Sequence, residues 1–562
     1  MRGSRLLATL ILPLAAACGG GTSTTVTEAP TPRGATAADI SAADLRNRIA
    51  IFAHDSMEGR RTGTPGNAKG NAYIVSEVQR LGLKPAGDAG GFLQKVPLSS
   101  YTADSAKGTL RASGGELALW KDYYPYQADF IVPARPIDGA GLVYIGTAAD
   151  SAAVPERDAL KGKLVVFNGS GSGNTLGVPD LSPAGRLGLV AGMVVTGTDT
   201  VIATFEQVFR TPRIVVKENV QVPPGITQPR LILLPSASVP RLFGKPLDQL
   251  SPGDTGSAIQ GDVTFDETDL GAGNVVALLE GSDPVLRGQY VALGAHNDAI
   301  GIVPAVDHDS IRAYNTVMRP RGANDAPGEP NAEQAARIKA ILDSTRKIRP
   351  ARLDSIVNGA DDDGSGSMAL LEIAEAAVRS SQRPKRSLLF VWHTGEESGL
   401  QGSRWFTDNP TVPRDSIVAQ LNTDMMGRGG PSDESTRDPA YMQLIGSRRL
   451  STELGDLVET VNKDGTFGFT FDYSYDADGH PDNFYCRSDH YMYARYGIPI
   501  TFFSTGGHRD YHQVTDEIEY LDFDKYARAV RFMAAVADRV ANLDHRPAVD
   551  KPKPDPEAPC QQ

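Results

Sequence analysis

Four near-continuous apolar runs of strand length punctuate the C-terminal half of the chain: "QYVALGA" (289–295), "SLLFVW" (387–392), "IVAQLNT" (417–423) and "IPITFF" (498–503). A strand with one wet face alternates apolar and polar residues, whereas a strand covered on both faces stays apolar along most of its length. The stretches between these runs carry helical periodicity, most clearly over 367–380. Strand, loop and helix in repeated succession predict an α/β fold, a three-layer sandwich with a mainly parallel (mixed) central sheet covered by helices. Nearer the N-terminus, Ser41 followed three residues on by Asp44 marks a capped helix start at "SAADLRNRIAIFA". Ile74, Val78 and Leu81 share one helical face and Gly82 supplies the stop, so 68–81 reads as a second helix. "MEGRRTGTPG", between the two, reads as a turn-rich loop.

The pattern breaks between residues 101 and 265. Short β-branched runs such as "KLVVFN" and "GMVVTG" alternate there with Gly, Pro and Ser, and long helices disappear. A separate β-rich insert domain is expected over 101–265, leaving 39–100 and 266–545 as the main domain. Within the latter, residues 303–357 form a long connection with a helix at "EQAARIKAILDSTRKI". Its Ala336, Ile338, Ile341 and Leu342 make a partial apolar stripe, which reads as an insert or lid over a cleft or as decoration of its rim.

Two ends need separate treatment. Arg2 and Arg5 precede an apolar run, 6–17, too short to span a bilayer as a helix, and "LAAAC" then leads to Gly19, Gly20 and Gly21. Residues 1–18 resemble a bacterial lipoprotein signal peptide, in which Cys18 becomes the lipidated first residue. That implies an exported protein, lipid-anchored to the cell envelope on the periplasmic or extracellular side, at the outer membrane in a Gram-negative cell. Residues 19–38 are a flexible linker and 546–562 a Pro-rich tail. With only Cys486 and Cys560 remaining, no disulfide framework is expected.

Composition narrows the function. An apolar fraction of 40% and a charged fraction of 22% are those of a globular protein. A net charge of -12 with no basic block argues against a nucleic-acid partner.

Chemistry gathers where the strands end, the place at which open α/β sheets bind ligands. His296 closes the first apolar run and Asp298 follows two residues later, an imidazole with a carboxylate to orient it. Asp361 opens "DDDGSG", Glu396 and Glu397 follow the second run, Asp424 the third, and His508 and His512 the fourth. Of these, His296, Asp361, Glu397, Asp424 and His512 give two imidazoles and three carboxylates, a nitrogen and oxygen donor set suited to zinc. A carboxylate shared between two ions uses both its oxygens and screens their repulsion. Asp361 is the expected bridge, with the flanking glycines permitting the backbone turn.

"GAHND", "NGADDDGSG", "HTGEESGLQGS", "NTDMMGR" and "SDHYMYARYGIP...DYHQVTD" together resemble the ordered motifs of the di-zinc aminopeptidase family of clan MH, which includes bacterial leucine aminopeptidases and glutamate carboxypeptidases. The resemblance covers roughly 39–100 and 266–545, with 101–265 similar to a protease-associated domain. It implies two zinc ions per chain, one held by His296 and Asp424, the other by Glu397 and His512, with Asp361 between them. It further implies Glu396 as the general base that takes a proton from a metal-activated water and a cis peptide bond between Asp361 and Asp362; Asp298, read above as orienting His296, is counted with Glu396 among the catalytic residues. The expected activity is that of an exopeptidase acting on peptide or protein N-termini. Carboxypeptidase or dipeptidase action, a zinc acyltransferase resembling glutaminyl cyclase, and a metal-free receptor are the alternatives.

Other candidates receive lesser roles. His512 is preferred over His490 because it sits in the closing motif "DYHQVTD". His393 reads as a strand-end cap, His508 and His480 as hydrogen-bonded loop residues, and Ser488 and Asp489 as supports of the site. Arg487 reads as a contact for a substrate carboxylate or as one half of an ion pair.

Overall fold

The computed structural model describes residues 36–103, 109–125, 136–147, 155–169, 187–217, 230–429 and 438–562, with backbone alone over 203–208. Residues 1–18, and with them Cys18, lie outside the described residues, as does most of the 19–38 linker. The chain forms two compact units, one of residues 98–269 and the other of the described residues up to 97 together with 270–562.

The smaller unit holds a six-stranded sheet in the order Thr255–Gly256, Leu142–Thr147, Leu164–Asn168, Gly192–Thr196, Arg230–Leu233, Tyr124–Pro125. Its four inner strands run parallel, and the two short outer ones pair antiparallel. The runs "KLVVFN" and "GMVVTG" are its central pair, and one helix, Asp199–Arg210, belongs to the unit as well.

In the larger unit the four apolar runs are the middle of one sheet. Strand β1 (Tyr290–His296) lies between β2 (Ser387–His393) and β3 (Ile417–Thr423) and runs parallel to both, and β4 (Ile500–Ser504) continues parallel beside β3. Antiparallel neighbours flank this centre: Tyr441–Ile445 beside β4, and the 275–279 end of Phe265–Leu279 beside β2. Every residue of β2 and β3 is buried, which explains why their sequences do not alternate. One face packs on the helices Ala42–Phe52, α1 (Gly364–Arg379), Thr452–Asp464 and Phe523–Ala541 through a large apolar cluster that includes Phe390, Trp392, Leu421 and Phe532. The other face packs on Phe406, Tyr491 and Tyr493, completing three layers. Arg48, 2% exposed, ties the first helices together by pairing with Glu77, Glu372 and Glu375 at 2.5 Å each; a buried charge so fully paired holds helices in register.

The expected helices appear with shifted edges. Ser41 caps the first by accepting from Asp44 N at 3.0 Å, while the second starts earlier than periodicity suggested, at Pro65, because Thr64 caps it and Pro suits the first turn. The helix in 303–357 is Ala332–Arg346, and none of its residues is buried. Ile338, Ile341 and Leu342 are half-buried and Ala336 is exposed. The helix packs against His308–Met318.

The absence of a disulfide was a wrong expectation. Cys486 and Cys560 are bonded, with Cα atoms 5.8 Å apart across 74 positions of sequence, and the Pro-rich tail docks further through Gln562. Gly479 N donates to the Gln562 backbone carbonyl at 2.8 Å and Tyr485 N to its Oε1 at 2.9 Å. Opening a loop of this length restores denatured-state entropy of about 2–4 kcal/mol. Cys560→Ser should therefore lower the thermal midpoint in non-reducing buffer to that of the reduced wild type; equal midpoints for oxidised wild type and variant would refute this.

Candidate metal centre

Parallel strands deliver the candidate side chains to one edge of the sheet. His296 ends β1 directly opposite His393 on β2. Glu396 and Glu397 follow β2, Asp424 follows β3, and the loop after β4 brings His508 and His512. Asp363 caps α1, accepting from Gly366 N at 2.8 Å, so the Asp triplet is the turn leading into that helix.

Three adjacent carboxylates in this turn face three ways. Asp361 turns from the centre: its Oδ1 accepts from Gly427 N at 2.6 Å and its Oδ2 lies 3.2 Å from His508 Nε2. Asp363 is held by three backbone donors, Gly366 and Met425 on Oδ1 and His296 N on Oδ2 at 3.0 Å. Asp362 alone reaches both imidazoles. Its Oδ1 is 3.1 Å from His296 Nε2 and its Oδ2 is 3.0 Å from His512 Nε2. The central carboxylate is thus Asp362, and the expectation of Asp361 was one residue early. The cis peptide bond is likewise displaced, to Asp362–Asp363.

Glycine makes the turn possible. At Gly359, with φ of 56°, a Cβ would fall 2.2 Å from the Asp362 carbonyl oxygen, and at Gly366 one would fall 2.3 Å from Asp363 Oδ1. Asp516 closes the turn from the far side by accepting from Asp361 N at 3.2 Å and Asp362 N at 3.0 Å.

The remaining candidates converge. Glu397 Oε2 is 3.0 Å from His512 Nε2, and Asp424 Oδ1 and Glu396 Oε2 are 3.8 and 3.9 Å from His296 Nε2. Asp298 lies behind His296, its Oδ1 3.6 Å from Nδ1, and is itself fixed by Thr62 Oγ1 at 2.6 Å and Glu396 N at 3.2 Å. Ser488 Oγ donates to Asp424 Oδ2 at 2.8 Å. His512 adopts φ of 57°, a region costly for a side chain with a Cβ and one that recurs at functional sites; the Tyr511 ring stacks on it at 3.9 Å.

Two imidazoles meet four carboxylates here, those of Asp362, Glu396, Glu397 and Asp424, and the group is short of positive charge. Burial would lower the His296 pKa, but Glu396, Asp298, Asp362 and Asp424 outweigh it and hold the imidazolium well above its usual range. Burial likewise opposes the charge on His512, yet Glu397 and Asp362 push it up to about 10. Burial first, then Glu397, Asp424 and Asp489, raise Glu396 well above the ordinary carboxyl range. Glu397 Oε1 is buried without a hydrogen bond. Such a donor set, nitrogen and oxygen atoms converging with unmet negative charge, fits divalent cations of the zinc class.

His490 does not compete. Its ring stacks on Phe502 at 4.7 Å, and burial lowers its pKa to about 3. His393 pairs with Asp489 at 3.2 Å, and Arg487 donates to Asn324 and Tyr511. Two supports were missed in the loop "MEGRRTGTPG". Arg60, fully buried, donates to the carbonyls of Phe52, Asn358 and Gly359 at 2.7–2.8 Å and so braces the turn before the triplet, and Thr62 holds Asp298. No local pattern marks either, because the partners that tie them to the site, Asn358 and Gly359 for Arg60 and Asp298 for Thr62, lie more than two hundred positions away.

Comparison with known proteins places this centre in context. The chain is 32% identical over 158 residues to leupeptin-inactivating enzyme 1 of Streptomyces exfoliatus, covering 27% of this chain and 30% of that protein. It is 28% identical over 214 residues to leucine aminopeptidase 1 of Pyrenophora tritici-repentis, covering 36% and 51%. The chain thus spans about half or less of the length of these curated relatives. The solved aminopeptidase from Aneurinibacillus sp. strain AM-1 aligns with a TM-score of 0.49 at 14% identity, over 92% of this chain and 97% of that one. The profile of peptidase family M28 matches residues 274–537, the segment that supplies all of the converging side chains. Through that segment, the chain is similar to peptidase family M28, within the metallopeptidases of clan MH.

Proposed function

We propose that the protein is a di-zinc aminopeptidase that removes N-terminal residues from peptides. The observation that carries this reading is Asp362, one carboxylate with an imidazole 3.1 Å from one oxygen and another 3.0 Å from the other. His296 and Asp424 would hold one zinc, Glu397 and His512 the other, and Asp362 both. Bound there, the ions lower the pKa of water and polarise a peptide carbonyl. Glu396 stands beside this set with a raised pKa, suited to accept a proton from water and return it to the leaving amine. Asp298 orients the His296 ring through its backbone carbonyl, 3.2 Å from Nδ1, with its carboxylate behind at 3.6 Å. The excess of carboxylates favours a substrate's free α-amine. The protein would be exported and lipid-anchored through Cys18, with 101–265 as a protease-associated domain; the Cys486–Cys560 disulfide supports an oxidising compartment. Among the described residues no helix is long and apolar enough to cross a membrane.

A panel of short peptides with free or blocked termini, assayed with and without a chelator, tests this. Cleavage should require a free amino end, tolerate a blocked carboxyl end, stop on chelation and return with zinc. Cleavage of amino-blocked peptides would refute the aminopeptidase reading and point to a carboxypeptidase.

A further inference from the structure

We infer that His308, Asp354 and Glu517 form a separate binding site for a divalent cation of the zinc class, sharing no residue with the Asp362 centre. One ligand atom from each lies within 4.8 Å of the other two. His308 opens the helix His308–Met318 and is fully buried. Its Nδ1 is 3.3 Å from Asp309 Oδ1, and Asp309 is in turn clamped by Arg346 and Arg349. Its Nε2, buried and without a hydrogen bond, faces Glu517 Oε1 at 3.9 Å. A carboxylate on one ring nitrogen, with the other nitrogen aimed at an acidic pair, is the arrangement that orients a metal-binding imidazole. The Tyr520 ring stacks alongside at 6.1 Å and fixes the ring plane.

Charge supports the assignment. Burial and then Arg352 keep His308 below its usual pKa, so the ring is neutral at pH 7, the form that offers a lone pair. Burial, Asp354 and Glu519 lift Glu517 to about 8 even though Arg352 opposes them, the sign of a carboxyl short of positive charge. Arg352 Nη2, 3.1 Å from Glu517 Oε1, is the group a cation must displace. Its side chain is 39% exposed, with Glu519 nearby to receive it. A cation here would tie residues 308 and 354, in the 303–357 connection, to the loop that carries His512 and Asp516.

The test counts zinc by mass spectrometry in the full-length protein, loaded with zinc and then dialysed, for wild type, His308→Gln and Glu517→Gln. Each variant should hold one zinc fewer per chain than wild type. Should His308→Gln fail to fold, Glu517→Gln, at a side chain 13% exposed, decides alone. Equal zinc in wild type and Glu517→Gln overturns the site. The outcome is independent of the Asp362 centre: were that centre empty, wild type would hold one zinc and Glu517→Gln none.

Discussion

Glu396→Gln should lower kcat/KM by about 10²–10⁴-fold, the usual contribution of a general base, while leaving the zinc content unchanged. The substitution preserves shape and removes only the ability to carry a proton. Glu396 is positioned through its backbone, which donates to Asp298, and its carboxylate stays 3.9 Å from His296 Nε2, so the centre has no need of its charge to hold together. Losing that charge ends its repulsion with Glu397 and Asp424, the neighbours that raise its pKa, but removes no member of either donor set, so the zinc count should stay the same. Metal analysis beside steady-state kinetics checks both halves. Retained turnover removes the base assignment; parallel loss of zinc and turnover makes Glu396 a ligand.

The second large effect separates two neighbours. Asp361→Asn disturbs a side chain that meets Gly427 N and His508 rather than the two converging imidazoles, so it should cost about 10–100-fold in zinc affinity or activity, as for groups that hold ligands in place. Asp362→Asn strikes the one carboxylate shared by both imidazoles and should exceed that loss in affinity and activity alike. Chelator competition and kcat/KM measured on both variants decide the order. If Asp361→Asn sheds zinc more readily than Asp362→Asn, the assignment of the shared carboxylate is reversed.

The sheet was legible because buried parallel strands have to be apolar from end to end, and the positions of His296, Glu397, Asp424 and His512 were legible because ligands gather where such strands stop. Within "ADDDG" legibility ended. Three identical side chains in succession offer no internal mark, and their directions depend on partners far along the chain: Gly427 and His508 for Asp361, Met425 and the His296 backbone for Asp363. Arg60 escaped notice for the same reason, since it braces the turn through carbonyls of Asn358 and Gly359, far along the chain. Cys486 and Cys560 looked unrelated because the tail's return to the larger unit is set by tertiary contacts such as those of Gln562.

Asp362 also makes the two halves of the centre inseparable. A cation or proton arriving at one of its oxygens withdraws electron density from the other, only two bonds away, and changes what the opposite imidazole faces. On the di-zinc reading, filling or emptying on the His296 side would therefore be felt on the His512 side, and the centre would behave as one ionic body with two mouths.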